Sequence, residues 1–325
     1  MPVTLGLIIS IVTVMNFKIA LTSALATLTI SSVIASDDVE TTVAESVIQL
    51  ASNADPVESA RSIASNKLDS SAEELVSGWV PNAEVSIEGL SKGKPTFSIL
   101  TVNPLHESND LKHTVFNQTS LFSEDGRQTL NIGFGYRNMS DDQNWLLGIN
   151  GFYDHEFPYG HQRSSVGLEA RSSVLEFNAN RYYAISGWKS GNDSFDEKAL
   201  GGYDYELGFA VPYMPGAKIY RKQFLWDAQD GVADLKGSTT SLAINGNILV
   251  PGLGLEVGAT DYNAGATDTN FVRLTFKYPP SATEQKMFSS KAFEFTSMKE
   301  HRLDKVRREN KIVKQTAIRV TVSGY

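Results

Sequence analysis

Four stretches decide how the rest of the chain is read: RQTLNIGFGYRNM (Arg127–Met139), NWLLGINGFYDHEF (Asn144–Phe157), HQRSSVGLEARSS (His161–Ser173) and LEFNANRYYAISGW (Leu175–Trp188). In the first, Leu130, Ile132, Phe134 and Tyr136 are apolar at every second position, with Asn131, Gly133, Gly135 and Arg137 between them. A β-strand sends alternate side chains to opposite faces, so one face is apolar and the other polar or small. Each stretch has about the length of a tilted membrane-spanning strand, roughly 9–11 residues. Asp141-Asp142, Phe157-Pro158-Tyr159-Gly160 and Ser172-Ser173 separate them. This is the pattern of antiparallel hairpins in a barrel with lipid outside and polar groups inside. A soluble β-sandwich is the competing reading, but its strands average nearer about 5–6 residues.

The alternation recurs on both sides. AEVSIEG starts at Ala83, and GKPTFSILTV and KHTVFNQTSLF follow. After Trp188 comes SGNDSFDEK, read as a long polar loop. KALGGYDYELGFAVP then puts Tyr203, Tyr205, Leu207, Phe209 and Val211 on one face, and Asp204, Glu206, Gly208 and Ala210 on the other. AKIYRKQFLWD, TSLAINGNILV, LGLEVGATDY and TNFVRLTFKY complete the series; the last presents Val272, Leu274, Phe276 and Tyr278 together before Pro279-Pro280. The count is roughly twelve strands, an even number as closure of a bacterial barrel requires. The expected fold is therefore all-β membrane: an antiparallel transmembrane β-barrel of about twelve strands over 81–280, with a short N-terminal helical segment and a C-terminal pore-threading linker.

Composition agrees. The chain has 325 residues, no cysteine and a net charge of −8. Disulfides and thiolate metal sites are thereby excluded. The acidic balance argues against nucleic-acid binding, which needs clustered cations. Mean hydropathy is only −0.19, because half of a barrel strand faces water or the lumen.

Upstream, Met15-Asn16-Phe17-Lys18, the apolar run Ile19–Ile34 and the Val33-Ile34-Ala35 site read as a signal peptide over 1–35, with Met15 the expected start. A transmembrane helix over Met1–Ile34 competes, but Lys18 would then sit mid-membrane. Residues 36–80 are rich in Ala, Ser, Glu and Leu. They space Val43, Val47 and Leu50, then Leu75, Val76 and Trp79, as short amphipathic periplasmic helices would.

Asp154, Glu169, Glu176, Asp204, Glu206 and Glu256 fall on or beside the expected lumen face. A dry core would not tolerate so many carboxylates unless each were paired, whereas a watery lumen would. The tail over 281–325 carries Lys299, Arg302, Lys305, Arg307, Arg308, Lys311, Lys314 and Arg319. Opposite charges under restricted solvation attract more than in bulk water, so this tail is expected to thread the lumen. A solvated tail is the plainer alternative. Trp145, Tyr153, Tyr183, Trp188, Tyr213, Trp226 and Tyr278 lie near strand ends, where interfacial aromatic girdles are expected.

Reactive constellations are sparse. Asp154-His155-Glu156 with His161 nearby invites a metal reading, but neighbouring residues of a strand do not point one way. No metal, cofactor or catalytic residue is assigned. His106, His113, His155, His161 and His301 sit in no nucleophile motif, so an outer-membrane lipolytic enzyme is the weaker alternative. Gly133, Gly135, Gly148 and Gly151 are not followed by the Gly-Lys-Ser/Thr of a phosphate loop. They suit a lumen face or a strand bend instead.

FNQTSLFSEDGRQTLNIGFGYR (Phe116–Arg137), NWLLGINGFYDHEF, HQRSSVGLEARSS, NANRYYAISGW (Asn178–Trp188) and GGYDYELGFAVPYMPGAKIY (Gly201–Tyr220) together resemble the β-domain of inverse autotransporters, the intimin and invasin family. The resemblance covers about Trp79 to Tyr278 and extends weakly to RRENKIV (Arg307–Val313). It implies an outer-membrane barrel inserted by the barrel-assembly machinery with periplasmic chaperones, surrounded by outer-membrane lipid, with its N-terminus periplasmic. It also implies a linker that crosses the lumen as a hairpin or a helix plus extended segment, leading to a surface passenger. No LysM module is evident over 36–80, and no passenger follows Tyr325, so a passenger-less or truncated member is expected. Adhesion is not carried over. The expected function is a translocator and anchor barrel, with a passive pore as the alternative. A homodimer through barrel or helical segment stays open.

Overall fold

The computed structural model describes residues 82–88, 96–191, 195–245, 252–263, 266–278 and 288–318. The expected signal peptide and helical segment lie outside these residues, as does Arg319.

Seven strands run in sequence: β1 (Ala83–Glu88), β2 (Thr96–Glu107), β3 (His113–Glu124), β4 (Arg127–Met139), β5 (Leu146–Phe157), β6 (Gln162–Arg171) and β7 (Leu175–Ala184). The chain then leaves the wall for β8 (Lys189–Ser190) and β9 (Phe195–Ala199). It rejoins at β10 (Gly201–Val211), followed by β11 (Met214–Asp227), β12 (Leu235–Ile244), β13 (Leu253–Asn263) and β14 (Thr269–Tyr278). Each wall strand pairs antiparallel with its neighbours, β7 with β10 among them, and β1 closes the barrel onto β14 from Ala83↔Tyr278 to Glu88↔Arg273. Twelve strands thus form a closed antiparallel barrel, an architecture that leaves no unpaired edge in lipid.

Its faces are inverted relative to a soluble protein. Ile132, Phe134, Leu147, Ile149, Val166, Leu168, Leu207 and Phe209 are exposed on the outer wall. Gln118, Asn131, Arg137, Asp154, Arg163, Glu169 and Asn178 are buried inside. The strand alternation alone dictates this, once one face meets lipid.

Two rims are distinguishable. The near rim holds the start of β1, the end of β14 and the β4–β5, β6–β7 and β10–β11 turns. The far rim holds the β8–β9 excursion. SGNDSFDEK is thus no plain loop: β8 and β9 pair with each other, and β9 also pairs antiparallel with β15 (Lys314–Ile318) from the tail. Polar side chains hid a hairpin whose pairing partner lies more than a hundred residues downstream.

Candidate functional site in the barrel lumen

The tail crosses the lumen from one rim to the other. Met298 packs with Met139 and Leu146 at the near rim. Val306 joins Leu100, Val102, Phe116 and Phe152 midway. Val313 packs on the Tyr182, Leu200, Phe224 and Trp226 cluster at the far rim, next to β15. Between these apolar contacts the tail makes a 3-10 turn at Lys299–His301, continued by a turn closed from the Asp304 N–H to the His301 carbonyl at 3.1 Å. No α-helix occurs among the described residues, so the helix-plus-extended path is not the one taken here.

A segment crossing a lumen has main-chain groups that must be satisfied. Wall side chains do this. Arg137 Nη1 donates to the carbonyls of Arg302 and Asp304, each at 2.7 Å. The Val306 N–H donates to Gln118 Oε1 at 2.7 Å. Asn180 donates to the Arg307 carbonyl at 3.1 Å, Arg163 to that of Glu309 at 2.6 Å and Asn131 to that of Asn310 at 3.0 Å. The Tyr182 hydroxyl accepts the Glu309 N–H at 2.7 Å and donates to Asp204 at 2.7 Å.

Side chains add charge pairing. Arg308 meets Asp154 through two contacts, 3.0 and 2.7 Å, under the Phe152 ring. Arg307 reaches Glu206 and Glu256, the latter at 3.2 Å, and lies over Tyr220. Arg302 pairs with Glu107 at 2.5 Å and Lys314 with Glu156 at 2.5 Å. Lys305 pairs with Glu84 and Lys311 with Glu124. Two pairs run the other way: Asp304 with Lys277 at 2.6 Å and Glu309 with Lys222 at 3.3 Å.

The six expected lumen carboxylates are all buried. The lumen itself is not simply acidic, however. Arg137 holds Glu169 at 2.6 Å, Arg163 holds Asp154 at 2.9 Å, Lys218 holds Glu176 at 2.6 Å and Arg273 holds Glu256 at 2.9 Å. Among the described residues, Asp154, Glu206 and Glu256 are the ones of the six that pair with tail cations. The wall cations were the missed residues. Their signal was present, since Arg137 occupies the polar face of its strand beside Asn131.

Of the expected girdle aromatics, Tyr153, Tyr183, Trp188 and Tyr213 are exposed and Trp145 is half-buried. Tyr153 and Tyr183 share one row, each opposite Ser164. Trp226 differs: it is 3% exposed and packs inside against Tyr182, with ring centroids 5.0 Å apart. On β11 the far half of the strand inverts the usual pattern. Tyr220, Phe224 and Trp226 turn inward, while Arg221 and Gln223 turn outward. Proximity to a strand end therefore misassigned Trp226, where parity would have placed it.

At the far rim, Glu156, His161 and Glu197 converge, all buried and with ligand atoms within 4.8 Å of one another. Their carboxylates are already held: Arg127 bridges both at 2.7–2.9 Å, and Lys314 takes Glu156. His161 Nε2 stands 3.3 Å from Glu197, but neither ring nitrogen makes a hydrogen bond. Burial foremost, with Lys314 adding to it against Glu156 and Glu197, holds the imidazole below its ordinary pKa of 6.5. The cluster ties β4, the β5–β6 turn, β9 and β15 together.

Residues 38–310 fit the family model "Inverse autotransporter, beta-domain". The chain belongs to the inverse autotransporter β-domain family. It is similar to a putative attaching and effacing protein homolog of Escherichia coli K12, at 34% identity over 35% of this chain and 39% of that protein. It is also similar to the inverse autotransporter adhesin YeeJ of the same strain, at 26% identity over 68% of this chain and 10% of the relative. Intimin of Escherichia coli O157:H7 matches at 27% identity over 65% and 23%. The chain thus spans well under half of these relatives' length. A solved structure described as "Unveiling the Mechanism Behind the in-meso Crystallization of Membrane Proteins" shares the fold, with a TM-score of 0.61 at 19% identity, covering 73% of this chain and 99% of that one. This inverse autotransporter domain is accordingly an outer-membrane β-barrel related to intimin and invasin.

Proposed function

We propose that the barrel threads its own C-terminal segment through the outer membrane and anchors it there, with the near rim periplasmic and the far rim at the cell surface. One observation carries this reading: the tail spans the lumen from Met298 to β15 with its main chain bound by wall side chains. Main-chain contacts of this kind do not depend on the tail's side chains, so the same wall could hold successive segments in transit. The ion pairs with Asp154, Glu206 and Glu256 then fix one final register. A chain that begins the barrel at the near rim with β1 and reaches the far rim at β15 supports this direction. Insertion by the barrel-assembly machinery belongs to the same proposal.

An epitope tag fused after Tyr325 tests it. Protease added to intact cells should remove the tag. Cleavage only after the outer membrane is permeabilised would defeat the export reading and leave a plugged structural barrel.

A further inference from the structure

Before it goes into the lumen, the tail lies along the outside of the near rim. The Ser289 N–H donates to the Tyr213 carbonyl at 2.9 Å, and the Tyr213 N–H donates to the Ala292 carbonyl at 3.0 Å. Ser173 Oγ donates to the Glu294 carbonyl at 3.0 Å and accepts the Thr296 N–H at 3.0 Å. The Met298 N–H donates to the Gln143 carbonyl at 2.8 Å. Tyr213, Ser173 and Gln143 mark the β10–β11, β6–β7 and β4–β5 turns, consecutive around the barrel. Residues 288–297 are therefore a strap fastened turn by turn.

The strap exposes three large rings. Phe288 is 59% exposed, Phe293 42% and Phe295 53%. Its backbone is fixed through polar contacts, which leaves these rings free to face outward. Phe293 packs edge-on against Phe209, with centroids 5.2 Å apart. Phe209 sits on the outer wall, opposite Leu175 on β7 and Ile219 on β11, both of them also exposed. Phe293 therefore continues the face that meets lipid, and Phe288 and Phe295 stand exposed on the same strap. Lys291 and Glu294, exposed and paired at 3.1 Å, supply the polar groups expected at a headgroup boundary.

We infer that this strap is an interfacial lipid anchor. Phe288, Phe293 and Phe295 rest in the headgroup and upper acyl region of the leaflet at the near rim, and the bilayer helps hold the tail where it enters the barrel. Aromatic rings partition to that zone, and apolar groups continuous with a lipid-facing wall find no other solvent there.

The test uses the full-length chain, unmodified, in phosphatidylethanolamine and phosphatidylglycerol vesicles containing a phospholipid with a photoactivatable diazirine near the top of its acyl chain. After illumination and trypsin digestion, the peptide Ala292–Lys299 should carry label, as should the outer-wall strand β10. A labelled β10 with an unlabelled Ala292–Lys299 overturns the anchor. A second readout uses the absence of native cysteine. Spin labels at Phe288→Cys and Phe295→Cys should be relaxed by oxygen and shielded from an aqueous nickel chelate, like one at Leu207→Cys. A label at Glu294→Cys should show the reverse. Access of the chelate to positions 288 and 295 equal to that at 294 overturns the proposal. Shielding from both reagents also overturns it, because a protein partner rather than lipid would then cover the strap. These readouts do not depend on export, so a failure here is distinguishable from a failure of the translocator reading.

Discussion

Arg308 of the tail and Asp154 of β5 face each other in the lumen with neither side chain exposed to solvent. Two hydrogen bonds join them, and Asp154 is held from its other side by Arg163. Arg308 lies between the rings of Phe152 and Tyr182, 4.3 and 5.7 Å from their centroids. Planar guanidinium geometry serves both the fork and the stacking, which lysine could not do.

Arg308→Ala should therefore loosen the tail without unfolding the barrel. Breaking a buried pair outright costs about 3–5 kcal/mol, and the retained Arg163 should bring the loss to about 2–3 kcal/mol. Arg308→Lys should recover only part of it. Asp154→Asn should cost more than either, because it leaves two buried guanidiniums facing a neutral amide. Urea titration of tail release, read by protease cleavage after Arg307 while the barrel keeps its heat-modifiable gel migration, gives the numbers. Equal effects of alanine and lysine would remove the fork from the account.

The same packing explains the glycine-rich text of β4. A Cβ at Gly135 would lie 2.3 Å from the Phe116 ring, and one at Gly133 would lie 2.2 Å from Phe152. Both rings belong to the cluster that receives Val306. Gly135→Val should push Phe116 off the Arg137 guanidinium, which lies 4.4 Å from its centroid, and into the tail's path. Overpacking of this kind costs about 1–3 kcal/mol. The expected outcome is a folded barrel whose tail is cut faster by protease; an unchanged rate would mean that Phe116 has somewhere else to go.

Filling of the lumen by the tail makes a further prediction. Val306 and Ile312 are buried at 3% and 0%, and Arg308 is fully enclosed. In planar bilayers the intact protein should conduct little, and deletion of Met287–Tyr325 should raise conductance. Deletion strips tail cations from Glu84, Glu107, Glu124 and Glu206, and tail carboxylates from Lys222 and Lys277, so the enlarged pore should favour cations. Equal conductance with and without the tail would exclude a plug.

Strand number, face assignment and barrel closure were legible because a period of two and a lipid solvent leave little choice. Leu130, Ile132, Phe134 and Tyr136 could go only outward. The same parity puts Asp154, Glu169, Glu176, Asp204, Glu206 and Glu256 on the face that is buried. What escaped was whatever depends on contacts between distant segments. The polar run after Trp188 gives no local sign that β9 will pair with Lys314–Ile318. Net charge along the tail foretold attraction, but not that Arg137, Arg163 and Asn180 would bind its carbonyls, because a backbone carbonyl has no letter in the sequence. The convergence of Glu156, His161 and Glu197 was hidden likewise, since Glu197 comes from an excursion read as loop.

That last cluster makes the far-rim latch sensitive to pH. His161 is neutral, buried and flanked by Glu156 from β5, Glu197 from β9, Arg127 from β4 and Lys314 from β15. Its pKa is depressed in the closed latch, so the open state binds the proton more readily. Stability of the closed state is then full above about pH 6.5 and falls as pH drops toward the folded pKa. Glu197 titrates in a lower window. Burial pushes its carboxyl up, but Arg127 and Lys314 overcome this and hold it below the usual 4.5. Its contribution is present above that value and is lost only as pH falls through its own folded pKa. Amide exchange in β9 and β15 should therefore accelerate in two steps on acidification. His161→Gln should abolish the first step and leave the second. Persistence of the first step in that variant would assign the near-neutral sensitivity to another group.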